Sequence, residues 1–300
     1  MQVLKQEQLF IKIGYTKAWR ALSRAIEGIC GDWAESYSTL RQYFDELIKA
    51  KPGSVARIVA EPCGIFEREF WAFGPCIEGF VHCRPLLSID DTHLYGKYKG
   101  TLLVATAVDA NDSLYPLAYG IVEAESTDTW GWFFACIRTF IRSVQNRRIT
   151  FIYDRMKGIP VALENSWRYT HKHRYCARHL KANFQAVGFK DQNLTGLFYA
   201  AACASEVIDY QKIHDEIKLT NVDAHNWIET SLRGKEENWA LCFDDGGRFH
   251  VMTTNASKCF NGVLRGARSL PVKALVGVRF FGRWIIFVNE ESLLCRQRQS

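Results

Sequence analysis

Two aspartates stand where this sequence could hold a divalent cation. Asp90 lies in the run Ser88-Ile-Asp-Asp-Thr-His93, and Asp154 closes the run Ile149-Thr-Phe-Ile-Tyr153. A buried strand that delivers a carboxylate at its end fixes one ligand and leaves other coordination positions open, as Mg²⁺ and Mn²⁺ require. Two such carboxylates on adjacent strands can bridge two ions roughly 4 Å apart, the arrangement for in-line displacement at phosphorus. Taken singly, each Asp reads equally as a turn or cap residue. Asp91 points to the opposite face of its strand, because side chains alternate, and is not expected to share the site. Cys176-x-x-His179 offers a soft pair, but two ligands do not close a zinc shell, and a packed Cys beside a hydrogen-bonded His is the plainer alternative. His93 could approach a phosphate near Asp90 or serve as a turn residue.

The elements that must position these residues follow from periodicity. Leu86 to Asp90, Thr101 to Val108 and Leu114 to Val122 are apolar runs separated by turn-forming residues, which predicts consecutive antiparallel strands. Trp130, Phe133, Phe134, Ile137, Phe140 and Ile141 then recur at helical spacing behind the capping residues Ser126 to Asp128. Ile149 to Tyr153 reads as a fourth strand, Gly158 to Trp167 as a helix, and His173 to Cys176 as a short fifth strand. That order is the order of an α/β, ribonuclease H-like mixed sheet, in which the first and fourth strands are neighbours and Asp90 and Asp154 meet.

Upstream, residues 15 to 30 and 35 to 50 are predicted as two helices, followed by strands at Val55 to Ala60 and Phe66 to Ala72 and a break at Gly74-Pro75. Residues 1–80 read as a small helical accessory region, truncated at its N-terminus. Residues 84–270 read as the core, with a helical insertion at about 190–240 and a last helix from Asn255 to Arg268; 271–300 form a divergent tail.

Composition narrows the class. A chain of 300 residues with 48% apolar content can bury a substantial core, and a net charge of +6 is compatible with a polyanionic partner. Ten cysteines include no C-x-x-C pair, so structural zinc is not expected. The opening residues do not read as a signal peptide, which favours reduced thiols. The apolar run from Val276 to Val288 is short and interrupted by Arg279 and Arg283, so no membrane partner is expected.

Five ordered motifs resemble plant Mutator-like element transposases of the MuDR type. They are Asp90 to Gly100; Tyr115-Pro-Leu-Ala118 with Glu123 to Trp132; Asp154-Arg-Met-Lys-Gly158; Cys176-Ala-Arg-His179 with Asn183-Phe184; and Met252-Thr-Thr-Asn255 to Pro271. The resemblance implies a ribonuclease H-like fold, a D-D-E triad using Mg²⁺ or Mn²⁺, a DNA partner, a possible homo-oligomer and residence in the nucleus. Asp90 and Asp154 fall on the first two triad positions, which would be the metal ligands. Cys176 and His179 fall on the C-x-x-H motif of that family, whose role stays open.

One departure bears on activity. Where the family pattern reads Asn-x-x-Glu-Ser/Cys-x-Asn, this chain reads Asn255-Ala-Ser-Lys258-Cys-Phe-Asn261, so Lys258 occupies the third acidic position. An ammonium there can pair with Asp90 or Asp154 in the absence of metal and repels bound dications. Asp91 stands where the family usually has a small residue, and neither a zinc finger before the core nor a zinc knuckle after it is found. The expectation is a transposase core with impaired strand cleavage and transfer. A domesticated, non-catalytic DNA-binding or regulatory protein, a decayed transposon fragment and a metal-binding module around Cys176 and His179 are the rivals.

Overall fold

The computed structural model describes residues 14–167 and 171–277. Three helices come first: α1 (Tyr15–Cys30), α2 (Trp33–Ser38) and α3 (Leu40–Ala50). The helix expected over 35–50 is therefore two, parted at Thr39, while Asp32 caps α2 by accepting from the amides of Ala34 and Glu35. Such N-cap bonds satisfy donors that a helix cannot pair internally. α1 forms where periodicity places it, yet none of its residues is buried, and Leu22 and Ile29 are 58% and 85% exposed.

A hairpin of β1 (Val55–Ala60) and β2 (Phe66–Ala72) leads to α4 (Gly74–Gly79). The expected break at Gly74-Pro75 is this short helix, which Pro begins well because its missing amide hydrogen is unpaired there in any case. Then follow β3 (Leu86–His93), β4 (Thr101–Val108), β5 (Leu114–Val122), α5 (Thr127–Phe140), α6 (Arg142–Gln145), β6 (Ile149–Tyr153), α7 (Gly158–Trp167) and β7 (His171–Tyr175). The described strands form one sheet in the order β1-β2-β5-β4-β3-β6-β7. β3, β4 and β5 pair antiparallel, and β6 and β7 join parallel beside β3. This five-strand core is the ribonuclease H-like arrangement, and β2 extends it by pairing Glu69 with Ile121 and Trp71 with Tyr119 of β5. The N-terminal hairpin thus adds two strands to the same sheet.

Helices cover both faces, which is why every residue of β4 is buried. On one face α5 inserts Phe133, Phe134 and Ile137, all fully buried, and Gly120 of β5 provides the room: a Cβ there would lie 2.9 Å from the Phe133 ring. Ser126 and Thr129 begin α5 with a reciprocal capping box. After β7 comes α8 (Ala177–Ala186), and then α9 (Gln192–Cys203), α10 (Val207–Thr220), α11 (Val222–Leu232) and α12 (Glu236–Trp239), which are helical over the span of about 190–240 where a helical insertion is expected. Its interior is aromatic: Phe198 stacks at 4.4 Å on Phe184 and at 5.5 Å on Trp239.

The chain returns through residues 244–254. Arg248, fully buried, donates to the carbonyls of Tyr175 and Asn238, and Arg174 donates to that of Asp244. The segment ends in α13 (Asn255–Val263), a 3₁₀ turn at Ala267–Ser269, and α14 (Val272–Gly277). The last helix is therefore shorter than the span to Arg268 expected from sequence. α14 packs on α2 and α3, with the Lys273 amide donating to Ser36 Oγ at 2.9 Å. Most of the apolar run 276–288 lies outside the described residues, among which no helix is long and apolar enough to cross a membrane.

Candidate active site

The parallel register of β3 and β6 determines the relation of the two aspartates. Ser88 is opposite Ile152, so Asp90 and Asp154, each two residues further on, stand at the same level and share a face. Adjacent strands lie about 4.8 Å apart, which brings the two carboxylates into one site. β3 does not end at Asp90 as expected from sequence: it continues to His93, held by β4, with Asp90 opposite Val104. It is β6 that stops at Tyr153, and the missing neighbour opens the site at Asp90. Asp154 turns the chain there, its Oδ1 accepting from the Met156 amide at 3.2 Å.

α13 covers this face through a buried hydroxyl cluster. Ser257 Oγ donates to the Ser88 carbonyl at 3.1 Å and lies 2.7 Å from Thr106 Oγ1. Phe260, one turn on, packs against the ring of Tyr119. With Ser257 and Phe260 on the sheet, the neighbouring face carries Lys258 and Asn261 toward the acidic pair. Asn261 Nδ2 donates to Asp90 Oδ2 at 3.0 Å and to the Asp91 carbonyl at 3.3 Å. This contact has no assigned role in the sequence reading, although the three-residue spacing from Lys258 places both on one helical face.

Burial pushes the Asp90 carboxyl up to about 6, against the nearby positive charges of His179 and Lys258, and the charge of Asp154 adds to the rise. Lys258 thus acts on Asp90 through space. It forms no ion pair within 4.0 Å among the described residues, so the direct pairing anticipated from sequence is absent. Asp91 faces the other side of the sheet, where Glu125 lies ahead of α5. Burial, then the charges of Glu125, Asp90 and Asp154, raise it to about 7. His93 stays outside the acidic pair, exposed at the end of β3.

Cys176 and His179 lie at this same site. Cys176 is the N-cap of α8, one residue beyond β7, so the fifth strand ends before it. Burial alone would raise its thiol, but contact with His179 and the hydrogen-bond donors of Thr254 outweigh it and bring the thiol down to about 6. The Thr254 amide reaches Sγ at 3.4 Å and its hydroxyl at 3.6 Å. His179 is raised in turn, first by Cys176, against burial, and Asp154 contributes. Cys176 and His179 thus each favour the charged form of the other. The C-x-x-H motif therefore supplies a second positive charge to the two aspartates, a proximity that spacing alone does not reveal.

As a donor set for Mg²⁺ or Mn²⁺, Asp90 and Asp154 provide hard oxygens in register, which suits one such ion. A second ion lacks its carboxylate, because Lys258 and Asn261 fill the helix face opposite, and the positive charges of Lys258 and His179 already act on Asp90. The residues present do not fit a two-ion centre.

The family model described as the MULE transposase domain matches residues 86–183, from the first residue of β3 into α8. No curated protein matches the chain. Among solved structures, the Mos1 transposase catalytic domain, determined with raltegravir and Mn, is similar over 58% of this chain and 91% of its own, at 13% identity and a TM-score of 0.21. The segment that places Asp90 and Asp154 side by side and carries Cys176 and His179 is thus the part of the chain similar to the MULE transposase domain.

Proposed function

We propose that this protein is a Mutator-like transposase core that retains the architecture for DNA but has lost efficient strand cleavage and transfer. The observation that carries the reading is Lys258 on α13, close enough to Asp90 to lower its pKa, at the position where the family pattern has Glu. In a complete site, Mg²⁺ or Mn²⁺ held by Asp90, Asp154 and that Glu would stabilise charge on a DNA phosphate under attack. In this chain Asp90 and Asp154 remain aligned, Asn261 orients Asp90, and the cations Lys258 and His179 stand where further metal charge would be needed. The positive balance of the chain supports a retained polyanionic partner, bound with a steep salt dependence and no requirement for metal.

Calorimetric titration of Mn²⁺ into the native chain and into Lys258→Glu tests this reading. The Glu variant is expected to bind through Asp90 and Asp154, losing the ion when Asp154→Asn is added, while the native chain binds at least tenfold more weakly. Equal affinity in both would refute the role given to Lys258, and no binding by either would refute the assignment of the acidic pair.

A further inference from the structure

The helical insertion holds a group of side chains that the transposase reading does not use. His214 of α10 and His225 and Glu229 of α11 bring ligand atoms within 4.8 Å of one another. His225 and Glu229 are one turn apart and so share a face of α11. α10 returns against that face after the single connecting residue Asn221, whose side chain caps α11. The rings of His214 and His225 meet at 4.6 Å, and Tyr210 stacks on the other side of His214 at 5.5 Å, which limits how the imidazole can turn.

Among the described residues His214 Nε2 is buried without a hydrogen-bond partner, and the nearest Glu229 oxygen stands 3.6 Å away, beyond hydrogen-bonding length. A buried ring nitrogen without a partner is costly, and a cation held between the three groups would satisfy it. Ligands around a tetrahedral zinc at about 2.0–2.1 Å are roughly 3.4 Å apart, so closure from 4.8 Å asks for side-chain shifts of about 1 Å. Two imidazoles and one carboxylate suit Zn²⁺ better than the hard cations Mg²⁺ and Ca²⁺.

We propose that His214, His225 and Glu229 form a zinc site that clamps α10 to α11, with water as the fourth ligand. It is separate from the acidic pair and binds its ion whether or not the transposase site is active. The full chain, stripped with a chelator, is titrated with Co²⁺ and then Zn²⁺ while visible absorption and melting temperature are followed. One equivalent of Co²⁺ is expected to give the ligand-field bands of a four-coordinate nitrogen and oxygen site, without a sulfur-to-cobalt charge-transfer band, and Zn²⁺ is expected to displace it and raise Tm. His225→Gln and Glu229→Gln, each checked for unchanged helical content, are expected to weaken Zn²⁺ binding at least tenfold, while Asp90→Asn leaves it unchanged. A charge-transfer band would place the ion on a cysteine and overturn the proposal. So would no binding by the native chain, or binding indifferent to both α11 substitutions.

Discussion

Removing the Asp90 charge should stabilise the protein, and only at a pH where that charge exists. Burial under α13 lifts Asp90 from its ordinary 3.8 to about 6. A group whose folded pKa lies above its unfolded one gives its full stability below the unfolded value and loses it as pH rises through the folded value. At about 1.4 kcal/mol per unit, a rise of roughly two units means that folding loses about 3 kcal/mol between pH 4 and pH 7 at this one carboxylate. Asp90→Asn keeps the shape and leaves an amide oxygen for Asn261 Nδ2 to donate to. Urea unfolding with a chelator present, at pH 4 and pH 8, should show the variant close to native stability at the lower pH and about 3 kcal/mol more stable at the higher. Because the charge of Asp90 also acts on Asp91, the difference between variant and native chain, not the native curve itself, reports Asp90. Equal stability at pH 8, or the same gain at both pH values, would show that Asp90 is not a strained carboxylate and would remove the electrostatic account of the site.

Two further outcomes probe the sheet. Glu69 of β2 is fully buried, neither carboxylate oxygen has a hydrogen-bond partner among the described residues, and burial holds it well above the carboxylate range. Glu69→Gln should therefore raise stability at pH 8 and change nothing at pH 4; a loss at pH 8 in denaturant titration would contradict a neutral Glu69. Gly120→Ala places a methyl 2.9 Å from the Phe133 ring and should lower stability by about 1–3 kcal/mol in the same assay. A neutral effect would mean that α5 moves freely on β5.

The central strands were legible because continuous apolar runs bounded by turn residues have few other readings in a chain of this kind. The pairing of Asp90 with Asp154 was legible from element order alone. The chain beyond β3 was harder: the continuation to His93 depends on pairing with Leu102 and Thr101 of β4, and Asp91, Thr92 and His93 have no strand-like pattern of their own. Thr39 parts two helices although the apolar spacing runs past it. α13 stops at Val263 because the segment after it turns back to place α14 on α2 and α3. In the return segment, Asp245, Phe249 and His250 adopt left-handed backbone with φ of 53°, 49° and 63°. Phe is uncommon there, and the buried Arg248 and Arg174 that hold the segment depend on carbonyls far away in sequence. The contact of Asn261 with Asp90 and the nearness of His179 to both aspartates belong to the same class of long-range information.

The bond from Ser257 to the carbonyl of Ser88 spans 169 positions, and this separation bears on how the molecule is made. β3 through β7 are complete long before α13 leaves the ribosome, since the insertion intervenes. At about 5–20 residues per second, synthesis of residues 176 to 254 leaves one face of the sheet without α13 for about 4–16 s. During that interval Asp90 and Asp154 are open to water, and Asp90 is free of the burial that later raises it. Two negative charges on an otherwise apolar surface discourage pairing of one nascent chain with another. The same carboxylates that strain the finished fold thus act as gatekeepers during its synthesis.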